Sequence, residues 1–179
     1  MPDTADRDLM VAAIAGDPAA FGSIVRIYAG PLLRFVGRFT SDGHAAEDIV
    51  QDSLLAAWRR RDQFDPGRPF KAWLYRIALN RCRELHRKSS PTILPESIEQ
   101  ISPSNDSPFA AAVAVETVAT VLSAVDRLPT AQRAVVLMRV WEGLSYADIA
   151  FALGVNDGTA RSHMHHALQS LRASLRQLE

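Results

Sequence analysis

The stretch that decides the fold runs from Glu142 to Arg161 and reads EGLSYADIAFALGVNDGTAR. It predicts a helix, a tight turn and a second helix, because each boundary carries a residue suited to it. Ser145 can cap the first helix and Asn156 the second, while Gly154 stands where a helix commonly ends in a left-handed residue. Val155 is expected to fill the corner between the two helices. The stretch is therefore interpreted as a helix-turn-helix.

The second helix of this motif is predicted to have one apolar and one polar face. Its apolar residues follow the helical spacing i, i+4, i+7, i+8 and i+11, and they are Ala160, Met164, Ala167, Leu168 and Leu171. In a helix-turn-helix, the N-terminal part of this helix enters the DNA major groove. The residues expected to face the duplex are Gly158, Thr159, Arg161, Ser162 and His165. A helical hairpin without a role in DNA binding is the alternative.

Histidines on the same helix raise the question of a metal site, since His163 and His166 lie about one turn apart, with His165 between them. The rest of a ligand set is missing, because no cysteine is nearby and no carboxylate follows within a turn. We therefore predict no metal and no other cofactor, and expect these histidines to be solvated or to face phosphate.

The remainder of the chain also has helical periodicity, without convincing strand alternation. Helices are predicted at about 6–16, 18–39, 44–60 and 70–87, and then at 110–126, 130–142, 145–153 and 156–177, with Thr130 as an N-cap. Residues 89–108 contain four prolines and many small polar residues, which is the composition of a linker. The predicted fold class is all-α, with two small helical domains at 1–88 and 110–179 joined by a flexible linker at 89–109.

Charge is distributed unevenly along the chain, although the formal net charge is zero. Residues 59–88 hold 10 basic and 3 acidic residues, a net of +7, whereas residues 89–126 hold 5 acidic residues and no basic ones. The net charge is −4 over residues 1–58 and +2 over residues 127–179. A concentrated basic block between acidic flanks is typical of a protein that binds nucleic acid.

The basic block contains a stripe on the helix predicted at 70–87. Its members are spaced i, i+4, i+7 and i+11, which places them on one helix face, and they are Arg76, Asn80, Arg83 and Arg87. Such a stripe can follow phosphates, and an amide within it can read a base. The turn-rich loop beside it, with Asp65 and Arg68 as its charged residues, could shape a pocket for an unstacked base. A solvated basic face is the alternative.

An acidic face is predicted on the helix at 44–60. Its apolar stripe is expected to be buried and consists of Ala46, Ile49, Val50, Leu54, Ala57 and Trp58. Burial of this stripe leaves Asp48, Gln51 and Asp52 together on the exposed side. They could form a docking surface for a basic partner helix, and a solvated acidic face is the alternative.

Several classes of protein are disfavoured by what the sequence lacks. The single cysteine, Cys82, excludes an intrachain disulfide. The first residues do not resemble a signal peptide, and we expect no apolar stretch of the roughly 20 residues that a membrane span needs. No phosphate-binding glycine loop and no nucleophile motif is present, so an enzyme is not expected. A cytoplasmic protein without membrane contact of its own is the prediction.

These segments, in this order, resemble an extracytoplasmic-function (ECF, group IV) sigma factor of the sigma-70 family. Residues 46–52, with Trp58, resemble the helix of sigma region two that binds core RNA polymerase. Residues 70–80, FKAWLYRIALN, resemble the helix that opens the strands and reads the minus-ten element. Leu128-Pro129 together with 143–146 and 158–159 resembles sigma region four, which reads the minus-thirty-five element. The resemblance covers nearly the whole chain.

The resemblance implies an alternative sigma factor that binds core RNA polymerase and directs promoter recognition and transcription initiation. It assigns the polymerase contact to Asp48, Gln51 and Asp52. It assigns minus-ten DNA binding to Asp65, Arg68, Arg76, Asn80, Arg83 and Arg87. It assigns minus-thirty-five DNA binding to Gly158, Thr159, Arg161, Ser162 and His165. It also implies an anti-sigma factor that covers these surfaces.

One departure from the family concerns the recognition helix. The family usually has lysine or arginine at the positions matching 161, 163 and 166, but only Arg161 keeps the charge here, since His163 and His166 are not cationic at neutral pH. This departure implies minus-thirty-five binding that is weaker, different in specificity or sensitive to pH.

The rival hypothesis is a stand-alone helix-turn-helix regulator that binds an operator as a dimer. It explains residues 127–179 and leaves the acidic face and the basic stripe unexplained.

Overall fold

The computed structural model describes residues 3–89 and 109–176, with side-chain surroundings for residues 5–87 and 118–176. All regular secondary structure in these ranges is helical, which confirms the predicted all-α fold. The α-helices are α1 (Asp3–Ile14), α2 (Pro18–Val36), α3 (Gly43–Arg59), α4 (Phe70–Ser89), α5 (Phe109–Asp126), α6 (Thr130–Val136), α7 (Tyr146–Leu153) and α8 (Asp157–Arg176). Most of the predicted linker lies outside the described residues, so the domain boundaries remain predictions.

The N-terminal half packs α1 to α4 against one another, and their buried apolar residues belong to a core that continues into the C-terminal half. Asp17 and Asp42 begin α2 and α3, because the carboxylate of each accepts hydrogen bonds from backbone N–H groups of the first turn that follows it. Fully buried Phe70 and Tyr75 anchor α4 in this core. The predicted apolar stripe of α3 is buried except for Trp58, which is half-buried and lies 5.1 Å from the ring of Phe21 between centroids.

Helix α2 is long and apolar enough to cross a membrane by length and composition alone, with a mean hydropathy of 1.2. The expectation that no stretch reaches this length is therefore wrong for α2, which continues through Pro31. The same criteria are met by core helices of globular proteins. Here Ile24 and Leu32 are fully buried and Phe35 is nearly so, and α2 contacts α1, α3 and α4. Its apolar residues thus serve the core of the N-terminal half.

The C-terminal half contains the predicted helix-turn-helix, formed by α7 and α8. Ser145 Oγ accepts a hydrogen bond from the backbone N–H of Asp148 at 3.2 Å and caps α7. Gly154 ends α7 with φ +74°, in the left-handed region. Asn156 Oδ1 accepts from the backbone N–H of Thr159 at 2.7 Å and caps α8. All three boundary predictions are confirmed.

Other local predictions in this half are wrong. Val155 is 37% exposed and so does not fill the corner between α7 and α8, whereas Ile149 and Leu153 of α7 are buried. Leu168 is 42% exposed, so the predicted apolar face of α8 is not buried along its whole length. Thr130 is the first residue of α6 rather than its N-cap. The single helix predicted at 130–142 is instead α6 followed by a π-helical segment, Leu137–Trp141.

The two halves contact each other, which the sequence did not predict. Helix α7 packs against α4, and Lys71 Nζ lies 3.0 Å from Glu142 Oε2. A second contact lies at the end of α2, where Arg38 pairs with Asp126 at 3.0 Å. The buried Arg133 donates to the backbone carbonyl oxygens of Arg38, Asp126 and Leu128. Burial lowers the pKa of the Arg133 guanidinium, and the nearby Asp126 opposes this shift.

Candidate nucleic-acid interface

The first turns of α8 present the residues expected to face DNA. Gly158, Arg161, Ser162 and His165 are exposed, and Thr159 is half-buried. The Asn156 side chain caps this end of α8, so the free backbone N–H groups of the first turn are partly satisfied. The structure thus places all five predicted residues within two turns at the accessible end of one helix.

The charge of Arg161 is held in a defined position. Its Nε donates to Asp157 Oδ2 at 2.8 Å, and its guanidinium carbon lies 4.6 Å from the ring centroid of Tyr146. The Arg161 side chain nevertheless remains 60% exposed. It can therefore turn toward a phosphate or a guanine with little loss of buried contact.

The histidines of α8 interact with one another and with a neighbouring amide. The rings of His165 and His166 are 5.9 Å apart in an edge-to-face arrangement, and His165 Nε2 lies 3.0 Å from Gln169 Nε2. Among the described residues, no group of three or more histidine, cysteine or acidic side chains could hold a metal ion.

The basic stripe on α4 differs in exposure along its length. Asn80, Arg83 and Arg87 are exposed, whereas Arg76 is half-buried. Arg83 NH1 donates to Asn80 Oδ1 at 3.3 Å, which leaves the amide N–H groups of Asn80 available. Desolvation lowers the pKa of Arg83, but an arginine stays protonated at neutral pH. Three members of the stripe are therefore open to a ligand, and the fourth is engaged within the protein.

A cavity of about 290 Å³ lies between the end of α3 and α4. It is lined by Asn80, whose amide was predicted to read a base, by Arg76 of the same stripe, and by four polar residues that the sequence did not single out: Arg60, Gln63, Arg81 and Glu84. The sequence does contain a signal for Arg60, because this residue belongs to the basic run 59–61 within residues 59–88, whose net charge is +7. Gln63 carries no such signal, because it enters the cavity only through the 3-10 turn Arg61–Gln63.

The loop before α4, which was predicted to shape a pocket for an unstacked base, does not line this cavity. Asp65 Oδ1 accepts from the backbone N–H of Gly67 at 2.8 Å, which closes a tight turn. The Arg68 guanidinium lies 3.7 Å from Asp65 Oδ2 and 4.5 Å from the ring centroid of Phe151. Arg68 therefore faces α7 instead of the cavity.

The acidic face of α3 is exposed, as predicted. Asp48, Gln51 and Asp52 are all accessible, and neither carboxylate takes part in an ion pair within the described residues. Their positions are fixed from beneath by the buried Ile49 and by Ser53, whose hydroxyl donates to the Ile49 carbonyl at 2.6 Å. The face is thus exposed and charged, and its carboxylates have no ion-pair partner among the described residues.

Comparison with known proteins gives the family of the chain. Residues 24–92 match the family model for sigma-70 region 2, and residues 119–171 match the model for sigma-70 region 4. Relatives at 31–32% identity, one of them an ECF sigma factor, align with more than 90% of the chain. The chain belongs to the ECF sigma factors of the sigma-70 family. As a sigma factor, it binds core RNA polymerase and promoter DNA and is responsible for promoter selection.

Individual relatives align over almost their whole length. The sigma factor is 31% identical to the RNA polymerase sigma factor CnrH of Cupriavidus metallidurans, over 97% of this chain and 96% of the relative. It is 32% identical to the ECF sigma factor SigL of Mycobacterium tuberculosis, over 94% and 98%. It is 31% identical to SigW of Bacillus subtilis, over 91% and 92%.

Two solved structures resemble this sigma factor in fold. One is CnrH in complex with the cytosolic domain of CnrY, with a TM-score of 0.72, 31% identity and coverage of 97% of this chain and 98% of that one. The other is RpoE of Bartonella quintana in complex with the anti-sigma factor NepR, with a TM-score of 0.66, 27% identity and coverage of 87% and 96%. The first match extends over both halves of the chain.

Proposed function

We propose that three surfaces of this sigma factor have separate roles in transcription initiation. One binds core polymerase, one binds the opened minus-ten strand, and one binds the minus-thirty-five duplex. The exposed acidic face of α3, formed by Asp48, Gln51 and Asp52, docks on a basic helical surface of core polymerase. The carboxylates have no partner of their own within the described residues, so a cationic surface can pair with them without first breaking an internal ion pair.

The α4 stripe and the adjacent cavity bind the opened minus-ten strand. Arg83 and Arg87 follow the phosphates, while Asn80 and Arg76 bring an amide and a guanidinium to the cavity between α3 and α4. We add Arg60, Gln63 and Arg81 to this surface, since they line the same cavity. Asp65 and Arg68 belong to the loop before α4. They contribute to binding of the minus-ten strand once the Arg68 guanidinium leaves its position against α7.

The exposed end of α8 reads the minus-thirty-five duplex in the major groove. Arg161 contacts guanine or phosphate, Thr159, Ser162 and His165 provide further polar contacts, and Gly158 lets the backbone approach closely. The observation that carries the whole proposal is that one small chain exposes arginine side chains on α4 and α8 and carboxylates on α3.

The proposal is tested by run-off transcription with purified core polymerase on the gene's own upstream DNA. Wild-type sigma factor should give a promoter-specific transcript, and Asn80→Ala or Arg161→Ala should reduce it. Core polymerase without sigma factor is the control. If every upstream template tested gives no specific transcript, the assignment fails.

An anti-sigma factor is the second expected partner. The CnrH and RpoE structures are both complexes, and the partner of RpoE is described as an anti-sigma factor. We infer that a comparable protein covers the acidic face or the DNA-binding surfaces here. We also place the sigma factor in the cytoplasm with its polymerase, and expect it to act without catalytic activity of its own.

A further inference from the structure

Asp157 is the acidic residue in the first turn of α8, beside the residues proposed to face DNA. Its Oδ2 atom accepts the hydrogen bond from Arg161 Nε at 2.8 Å, one helical turn further along. Its other carboxylate oxygen, Oδ1, is buried and accepts no hydrogen bond among the described residues. The carboxylate is thus directed at Arg161 and not at the surface that a duplex would meet.

The Arg161 guanidinium is also supported from α7. The ring centroid of Tyr146 lies 4.6 Å from the guanidinium carbon of Arg161, and the guanidinium carbon of Arg139 lies 5.1 Å from the same centroid. Arg139 is held in its turn, because its NH1 donates to the backbone carbonyl of Leu144 at 2.9 Å. Cation–π contacts of this kind favour one placement of a guanidinium over a ring. The orientation of Arg161 is therefore set by contacts from both helices of the helix-turn-helix.

The two terminal nitrogens of Arg161 remain available to a ligand. Neither NH1 nor NH2 takes part in a hydrogen bond within the described residues, and the side chain is 60% exposed. An arginine whose Nε is occupied still presents NH1 and NH2 as two parallel donors, which match the O6 and N7 acceptors of guanine. A side chain that is already oriented also loses less rotamer freedom on binding than a mobile one.

The charge of this part of α8 favours a base contact over a phosphate contact. Residues 157–171 contain one acidic and one basic residue, Asp157 and Arg161, so their formal net charge is zero. A neutral pair attracts phosphates weakly, because phosphate binding depends on positive charge. Pairing with Asp157 leaves the direction of the NH1 and NH2 donors unchanged, and base reading depends on that direction.

We propose that Asp157 is a positioning residue which, together with Tyr146, holds Arg161 so that its two terminal nitrogens read a guanine of the minus-thirty-five element. The inference rests on the proposed role of α8 in minus-thirty-five binding. It adds the class of base that Arg161 reads and the two residues that prepare it for that contact.

The test uses polymerase holoenzyme with full-length sigma factor and fluorescein-labelled duplex fragments of the promoter that gives the run-off transcript. Each base pair of the minus-thirty-five element is replaced in turn, and fluorescence anisotropy at low temperature measures affinity while the duplex stays closed. Wild type should lose about tenfold in affinity when one guanine is replaced. It should also lose affinity when that guanine becomes 7-deazaguanine, which lacks the N7 acceptor. Arg161→Ala should be insensitive to both replacements.

The Asp157 variants test positioning. Asp157→Ala should reduce discrimination at that guanine by about two- to fivefold, which is the range expected for loss of an exposed ion pair. Asp157→Glu keeps a carboxylate one turn before Arg161 and should restore most of the discrimination. Asp148→Ala is the matched control, because it removes a carboxylate of α7 that accepts a hydrogen bond from Ser145 Oγ and does not contact Arg161. Its discrimination should equal that of wild type.

A double-mutant cycle separates positioning from a general effect of charge. When Arg161→Ala is already present, Asp157→Ala should leave discrimination unchanged, although loss of a carboxylate beside DNA should tighten binding to all sequences alike. Tyr146 gives an independent measurement of the same role. Tyr146→Leu removes the ring and should reduce discrimination, whereas Tyr146→Phe keeps the ring and should not.

The outcomes distinguish this inference from the proposed function. Unchanged discrimination in Asp157→Ala and Tyr146→Leu overturns the positioning role, and so does an equal loss with and without Arg161. If Arg161→Ala weakens binding to every sequence equally, Arg161 binds phosphate, so the guanine contact is wrong while the minus-thirty-five role of α8 stands. If wild type discriminates at no position of the minus-thirty-five element, the proposed role of α8 fails, and the inference fails with it.

Discussion

Arg161 and Asp157 lie one turn apart on α8, and Arg161 Nε donates to Asp157 Oδ2 at 2.8 Å. This ion pair is exposed, so it orients the guanidinium without contributing much to stability. The Tyr146 ring supports Arg161 from α7. The side chain that we propose for contact with DNA is thus held by both helices of the helix-turn-helix.

Substitution of Arg161 should weaken minus-thirty-five recognition. In Arg161→Ala, loss of a guanidinium contact to guanine or phosphate should cost about 1–3 kcal/mol of binding free energy. The measurement is the affinity of polymerase holoenzyme for promoter fragments with intact or altered minus-thirty-five sequences. The variant should bind the intact promoter more weakly and discriminate less between the two.

Arg172 provides a matched control, because it is an exposed arginine on α8 three turns beyond Arg161. Arg172→Ala removes the same charge and should leave sequence discrimination unchanged. A footprint and a sequence dependence that Arg161→Ala leaves intact would remove Arg161 from the reading surface.

The acidic face of α3 gives a second prediction, on polymerase binding. Asp52→Lys places a cation among carboxylates expected to meet a basic surface, so affinity for core polymerase should fall about tenfold or more, with like-charge repulsion as the reason. Biolayer interferometry with immobilised core polymerase measures this change. Asp8→Lys, at an exposed position on α1, makes the same change of charge elsewhere. Equal losses of polymerase affinity in the two variants would show that the net charge of the protein, and not a docking face at Asp52, determines binding.

The helix-turn-helix could be predicted closely because its boundaries are fixed by local chemistry. Each boundary depends only on neighbouring residues. Ser145 and Asn156 accept hydrogen bonds from backbone N–H groups as N-caps, and Gly154 adopts the left-handed backbone conformation. The exposed acidic face of α3 could be predicted for a similar reason, since helical spacing alone separates Asp48 and Asp52 from the core.

Contacts between distant segments could not be predicted in the same way. The burial of Arg133, 95 residues from its acceptor on Arg38, has no local signal. The position of Phe151 against Arg68 and Arg76 likewise depends on how the halves associate. Periodicity marks Arg76 as part of an exposed stripe, and only tertiary packing shows that it is half-buried beneath α7.

Gly154 gives a prediction on stability. Its φ of +74° is costly for residues with a Cβ atom, although a Cβ there would meet no neighbouring atom within 4 Å. Gly154→Ala should therefore destabilise the protein by about 1–2 kcal/mol through backbone strain alone, and Gly154→Asn by less, since asparagine tolerates this conformation. Urea unfolding followed by circular dichroism measures both changes.

Gly22 is the matched control for that prediction, because it lies inside α2 with ordinary helical geometry and room for a methyl group. Gly22→Ala should stabilise the protein by about 0.5–1 kcal/mol. A destabilising effect of the same size at both positions would show that the cost arises from added volume and not from the left-handed backbone of Gly154.

Cys82 predicts how stability responds to alkaline pH. The thiol is 1% exposed, and burial raises its pKa to about 12 from an ordinary value of 9.0. The folded state keeps the thiol protonated above pH 9, whereas the unfolded chain ionises there, so stability is lost as pH rises from 9 toward 12. The loss attributable to Cys82 should approach about 1.4 kcal/mol per pH unit within this window.

Comparison with Cys82→Ala isolates this contribution, because every other alkaline group, including Tyr75, is common to both proteins. Cys82→Ala should be less stable near neutral pH, since a small cavity replaces the sulfur. Its free energy of unfolding should then decline less steeply than that of the wild type between pH 9 and 10.5. The two urea-derived stability curves would therefore converge as pH rises, and parallel curves would mean that the folded protein does not hold the Cys82 proton more tightly than the unfolded chain.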